Sequence, residues 1–295
     1  DRRQRQMCIR DSYQTDVPSY AGRYGLGKLE PYGWYRVRQI HSLSVATYAP
    51  STYSRDQLVS HGVPRVGIWG RGVDKQRFHP SKRSEELRAQ WAPNGEVVVG
   101  YMGRLAAEKR VQDMAVLADI PGVKLVIVGH GPDRDQLEKQ IPGAIFTGGL
   151  GGEDLPRAVA SMDVFCSTGE LETFCQAVQE AKACGVPVIS PRRGGPIDLI
   201  DPSRTGWLYE PGNMDEFRSY VVDLVGDGYK RRAMGTAARA SIEDRTWGHL
   251  CAELVGHYEE AIRIGSVAAP ARHRLLSAAI HHSRRNGHSI SLLHR

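Results

Sequence analysis

Apolar residues along this chain fall into two patterns. Short, predominantly apolar runs occur at Val97 to Met102, Lys124 to Val128, Ala144 to Thr147, Val164 to Cys166 and Val186 to Ser190. Runs of that length without polar alternation are what a parallel strand buried on both faces requires. Between them lie segments in which apolar side chains return every three or four positions, the spacing of one helix face. These are Val111 to Leu117, Leu155 to Ser161, and the segment carrying Ala177, Val178, Ala181 and Cys184; Asp133 to Gln140, which opens on acids directly after Gly-Pro, is read as a further helix. The alternation predicts a doubly wound α/β domain. Gly185 is placed to cap the last of these helices, and Asn213 to open the helix of Phe217, Tyr220, Val221 and Leu224. Two more helices are predicted at 228–241 and 246–264.

Upstream the pattern is weaker. Tyr20 to Ile40 reads as helical segments interrupted by Pro-Tyr-Gly at 31–33, followed by a strand at Val45 to Ala49, a helix at Ser54 to Ser60 and a strand at Val66 to Trp69. The expected division is a remnant of a first domain with its linker at 13–80, a complete domain at 81–264, and a basic tail at 265–295. That tail is expected to be helical until it breaks near Gly287. Residues 1–12 are expected to be a non-native scar, because Met7-Cys8-Ile9-Arg10-Asp11 resembles a translated sequencing adapter, and the structured chain is expected to begin near Tyr13.

Composition narrows the picture. The chain has 295 residues, a formal charge of +6 and five cysteines, with no Cys-x-x-Cys pair. The positive surplus gathers at the two ends, and no nucleic-acid-binding motif accompanies it, so phosphate chemistry accounts better for the internal basic residues. Most cysteines lie in apolar contexts, as reduced buried thiols do. No run is long enough to span a membrane, so membrane contact would be peripheral, at an anionic surface.

Chemistry concentrates at the carboxyl ends of the predicted strands, where open α/β sheets bind ligands. After Val164–Cys166 a polar loop leads into a helix flanked by Glu172 and Glu180, and the N–H groups of Thr173, Phe174 and Cys175 lie at its entry. That is an anion site with an acid on either side. After Val97–Met102 come Gly103, Arg104 and Leu105, then Glu108 and Lys109. Arg104 can grip a phosphate with two parallel bonds, and Lys109 adds a compact second charge. Gly129 and Gly131 flank His130 in a turn that permits close backbone approach, although the third glycine of a dinucleotide fingerprint is missing. Thr147 and Gly148 end the next strand. Asp133-Arg134-Asp135 has the look of a metal motif, but acids opening a helix are its plainer explanation. No cluster with metal-ligand spacing occurs elsewhere, so no metal is expected.

Glu172, Glu180 and the run Ala183-Cys184-Gly185-Val186-Pro187-Val188-Ile189, with Gly194-Gly195-Pro196 downstream, resemble the nucleotide-sugar motif of family-four retaining glycosyltransferases of the GT-B architecture. The resemblance covers about residues 13–260 and implies two Rossmann-like domains, the N-terminal one incomplete here. It implies that Glu172 contacts the donor sugar, that Glu180 holds the ribose, and that Phe174 and Cys175 amides take the diphosphate with Arg104 and Lys109. Gly103, Gly129, Gly131, Thr147 and Gly148 would line the nucleotide. The strings G-E-L-E-T-F-C-Q, Y-Q-T-D and W-G-R-G-V-D are similar to those of actinobacterial GDP-mannose-dependent α-mannosyltransferases. The implied reaction is transfer of a hexose from a nucleotide sugar, GDP-mannose, to a lipid or glycan acceptor, with no cofactor and no nucleic acid, in the cytoplasm at the inner membrane face. The family's N-terminal histidine and glycine-rich loop belong upstream of Tyr13. A UDP-glucose donor, a UDP-sugar 2-epimerase on the same fold and a non-catalytic nucleotide-binding fragment are the alternatives.

Overall fold

The computed structural model describes residues 10–263. Its N-terminal part is a three-stranded parallel sheet, β1 (Arg10–Ser12), β2 (Ala46–Ala49) and β3 (Val66–Ile68), in that order. Helices α1 (Val17–Arg23), α2 (Glu30–His41) and α3 (Thr52–Ser60) connect the strands. Arg10, Asp11 and Ser12 stand opposite Ala46, Thr47 and Tyr48. The structured chain therefore starts before Tyr13, and the expected scar boundary at residue 12 falls after a strand that belongs to the sheet. The expected break at 31–33 is also absent. Pro31 sits in the first turn of α2, where a missing N–H costs nothing, and Gly33 faces Pro18 of α1 so closely that a Cβ would lie 3.2 Å from it. The chain breaks earlier, across 24–29. Trp34, Leu58, Val63 and Tyr13 form the small core of this part.

After α4 (Glu85–Trp91) come β4 (Val97–Met102), β5 (Val123–Val128), β6 (Ile145–Gly148), β7 (Val164–Cys166), β8 (Val188–Pro191) and β9 (Gly206–Tyr209). All pair in parallel, in the order β6-β5-β4-β7-β8-β9. Helices α5 (Arg134–Gln140), α6 (Asp154–Ala160), α7 (Gln176–Ala183), α8 (Pro196–Leu199), α9 (Met214–Gly226) and α10 (Gly228–Ala240) pack around the sheet. Strand residues alternate between two cores. Val98, Val126, Phe165 and Val188 enter one, and Val99, Ile127, Val164 and Ile189 enter the other. Both faces are buried, which is why these strands read as unbroken apolar runs. The segment Val111–Leu117 is a 3-10 helix.

The winding reverses between β4 and β7, and that switch point fixes where a ligand sits. The N-terminal part covers it from above. The terminal helix α11, over 247–263, returns to that part: the Trp69 indole N–H donates to the Leu250 carbonyl at 2.9 Å, and Tyr48 and His257 rings lie 4.7 Å apart. Asp198 in α8 accepts from the Thr52 backbone N–H at 2.6 Å and from its hydroxyl, tying the start of α3 to the C-terminal domain. Cys166, Cys175 and Cys184 are buried free thiols, and Cys251 is exposed. Residues 1–9 and the expected tail helix from 265 onward lie outside the described residues.

Candidate active site

A cleft of about 380 Å3 opens at the switch point. Gly103, Arg104 and Lys109 reach it from the loop after β4, and Glu172 to Ala177 from the loop after β7. Gln14, Thr15, Tyr20 and Arg71 close it from the other side. Seven of the residues singled out in the sequence thus converge: Gly103, Arg104, Lys109, Glu172, Thr173, Phe174 and Cys175.

The turn into α7 is held by its backbone. Cys175 adopts a left-handed conformation (φ 72°, ψ 72°), unusual for a side chain other than glycine. Such a conformation costs on the order of 1–2 kcal/mol and persists only where surroundings enforce it. Here the Gly194-Gly195-Pro196 turn enforces it. The Gly195 N–H donates to the Glu172 carbonyl at 2.7 Å, and a Cβ on Gly195 would lie 2.4 Å from the Phe174 Cα. Phe174 is buried, and so is the Cys175 thiol, whose pKa burial pushes up to about 12. Among the described residues, the backbone N–H groups of Thr173, Phe174 and Cys175 donate to no protein acceptor. With the first N–H groups of α7 they make a concentrated set of unspent donors.

The charged groups are partly paired. Lys109 Nζ lies 2.5 Å from Glu172 Oε1. Burial disfavours the Lys109 charge, but the Glu172 carboxylate outweighs it and holds the ammonium pKa above its ordinary value. Arg104 is 62% exposed and only 3.7 Å from Glu108, whose buried carboxylate also accepts from the Tyr24 hydroxyl at 2.7 Å. Glu108 thereby fastens the β4 loop to α1.

The remaining singled-out residues stand outside the cleft lining. Gly129 and Gly131 pack the β5 loop against the β4 loop. A Cβ on Gly129 would fall 1.8 Å from the Gly103 carbonyl oxygen, and one on Gly131 would fall 2.1 Å from that of Leu105. Leu105 N–H donates to His130 O at 3.0 Å, and Gly129 N–H to Gly148 O at 2.9 Å, which places Thr147 and Gly148 beside this junction. These glycines are required by loop packing whatever binds above them. Glu180 lies on the second turn of α7, half-buried, with its pKa raised to about 7. Burial drives that rise, opposed by the Arg77 charge and a hydrogen bond from Gln176.

Gln14, Tyr20 and Arg71 were not singled out as site residues. Their sequence signal is slight: an arginine between two glycines in the linker, a Tyr-Gln-Thr-Asp string that holds Gln14, and for Tyr20 only a stretch rich in Tyr and Arg. Asp133 and Asp135 open α5, as read. Among the described residues no three His, Cys, Asp or Glu side chains converge as a metal site.

Residues 83–241 match the family described as glycosyl transferases group 1. The chain is 49% identical over 248 residues to the GDP-mannose-dependent alpha-mannosyltransferase of Mycobacterium tuberculosis, covering 84% of this chain and 65% of that protein. It is 48% identical over 258 residues to the protein of the same name from Mycolicibacterium smegmatis, covering 87% and 68%. The chain therefore spans about two thirds of the length of these relatives. Among solved structures, Anabaena HepE in complex with UDP and glucose superposes with a TM-score of 0.71 at 21% identity, covering 87% of this chain and 71% of that one. Sucrose-phosphate synthase from Thermosynechococcus elongatus does so at 0.71 and 20%, covering 92% and 68%. At such identity the likeness shows the fold alone, which is GT-B. The chain belongs to the group 1 glycosyl transferases.

Proposed function

We propose that this protein is a retaining glycosyltransferase that moves mannose from GDP-mannose to a lipid or glycan acceptor. The observation that carries the reading is the left-handed turn at Cys175, which leaves three backbone N–H groups unspent in a cleft that also holds Arg104 and Lys109. Donors fixed in advance stabilise a diphosphate as its bond to the sugar breaks, without reorganising during the reaction. In this reading Lys109 exchanges Glu172 for the diphosphate, and Glu172 is freed to hold the sugar hydroxyls. Arg104, exposed and loosely paired, folds onto the phosphates. Glu180 accepts from the ribose hydroxyls as a carboxylate. Gly103, Gly129, Gly131, Thr147 and Gly148 shape the rim where the base lies. The acceptor oxygen bonds to the sugar's anomeric carbon as the carbon–phosphate-oxygen bond breaks, and the departing phosphate takes the acceptor's proton. The names of the relatives, at 49% and 48% identity, support guanine and mannose as donor parts. Among the described residues no helix is long and apolar enough to cross a membrane. We place the enzyme in the cytoplasm, at the inner membrane face, through electrostatic attraction of the arginines that gather at the two ends of its sequence.

Calorimetric titration with GDP and UDP, beside Glu180→Ala and Arg104→Ala variants, tests the site. Preference for GDP that both variants lose is the expected result. Equal binding by wild type and variants would remove both residues from the donor site.

A further inference from the structure

Of the three cations that line the cleft among the described residues, Arg71 is the one without a carboxylate. Its Nε and Nη2 donate to the neutral Gln14 Oε1 at 3.1 and 2.6 Å, and Nη1 has no partner among the described residues. Lys109 and Arg104, by contrast, face carboxylates at 2.5 and 3.7 Å. Arginines with structural work in this fold spend their donors on carboxylates or on several backbone carbonyls, as Arg239 does on those of Phe78, Ala183 and Lys75. Arg83 and Arg88 both pair with Asp163 and also cap carbonyls at the end of α6. A half-buried guanidinium facing only an amide has lost hydration without gaining an anion.

Backbone anchors hold Arg71 in that position. Gln179 of α7 donates to its carbonyl at 2.8 Å, and Gln176 to the next carbonyl, that of Gly72, at 3.1 Å. Gly72 cannot carry a side chain, since a Cβ would lie 2.6 Å from the Trp247 nitrogen. Gln14 is fixed too: its carbonyl accepts from the Thr173 hydroxyl at 2.8 Å. Both residues are thus tied to the same segment, 173–179, that presents the unspent amides. An arginine fork held this way matches the paired oxygens of a phosphate or carboxylate.

We infer that Arg71 is the centre of a second oxyanion subsite, on the N-terminal wall of the cleft and separate from Arg104 and Lys109, with Gln14 positioning its guanidinium. It takes a phosphate or carboxylate oxygen pair belonging to a substrate. The assignment to a substrate rests on the transferase reading above; the anion site itself does not.

The test uses inorganic pyrophosphate on the unliganded protein, and inorganic phosphate on protein saturated with GDP, both by calorimetry. Arg71→Gln should weaken at least one of them about tenfold or more, and Arg71→Lys should recover part of the loss, because the charge returns without the fork. Gln14→Glu gives Arg71 an internal carboxylate. It should weaken the same probe while leaving the thermal midpoint unchanged or raised, which separates loss of the subsite from loss of the fold. Loss of pyrophosphate and GDP binding together assigns the subsite to the donor diphosphate. Intact GDP binding with loss of phosphate binding to the saturated protein assigns it to an anionic acceptor. Wild-type affinity for both probes in Arg71→Gln, or a wild type that binds neither, overturns the inference. Failure of the wild type to bind GDP or UDP sinks the transferase reading instead, and the pyrophosphate arm still reports on Arg71.

Discussion

Glu180→Gln should make the unliganded protein more stable, and by an amount that grows with pH. The folded carboxyl has a pKa of about 7 against an ordinary value of 4.5, because burial outweighs the help from Arg77 and Gln176. A raised carboxyl pKa contributes stability that is fully present below the unfolded value and lost as pH rises through the folded one. Each tenfold change in proton affinity corresponds to about 1.4 kcal/mol, so the ionised carboxylate costs up to about 3 kcal/mol at alkaline pH. Between about pH 5.5 and pH 8 the wild type should lose about 2 kcal/mol that the variant, lacking this titration, keeps. Other titrating groups cancel in the comparison. Paired urea unfolding curves of the two proteins at both pH values measure the difference, which corresponds to several degrees in thermal midpoint. A gain that does not change with pH, or a variant less stable at both values, would refute the reasoning that Glu180 is a half-buried acid whose partners only partly offset its burial.

The same carboxylate predicts the pH dependence of binding. GDP affinity should fall about tenfold or more from pH 8 to pH 5.5 in the wild type and far less in Glu180→Gln, read by calorimetry at each pH. Lys109→Met leaves Glu172 half-buried and unpaired; it should cost about 1–3 kcal/mol in unfolding experiments and weaken GDP binding, and unchanged binding would remove Lys109 from the phosphate site. Gly195→Ala drives a Cβ into the Phe174 backbone, so it should destabilise the fold by about 1–3 kcal/mol and weaken GDP binding together; loss of stability alone would show that the Cys175 turn does not hold the nucleotide.

Where burial alone decides structure, the sequence is legible to the residue: β4 and β7 have the bounds that their apolar runs imply. Local backbone chemistry was harder. β8 begins at Val188 rather than Val186, since Pro187 cannot donate to the ladder and only accepts, from Phe165 N–H at 3.0 Å. Pro31 and Gly33 read as a break in the sequence because their helix-compatible roles depend on position and on a partner, Pro18, that spacing does not reveal. The C-terminal half of the cleft was legible because each residue follows its own strand within a few positions. The N-terminal wall was not: Arg71 and Gln14 meet across 57 positions, and nothing in a neutral glutamine announces an arginine partner. Gly129 and Gly131 suggest close ligand approach from the sequence, and the structure supplies a packing reason that holds without a ligand.

The central claim, mannosyl transfer from GDP-mannose with retention, is tested most directly by proton NMR of the reaction itself. The protein is incubated with GDP-mannose and an actinobacterial lipid extract. The account predicts release of GDP with appearance of a new α-linked mannosyl signal in the lipid fraction, both lost in a Glu172→Ala variant. Consumption of a UDP-sugar but not of GDP-mannose, or a β-linked product, would contradict it.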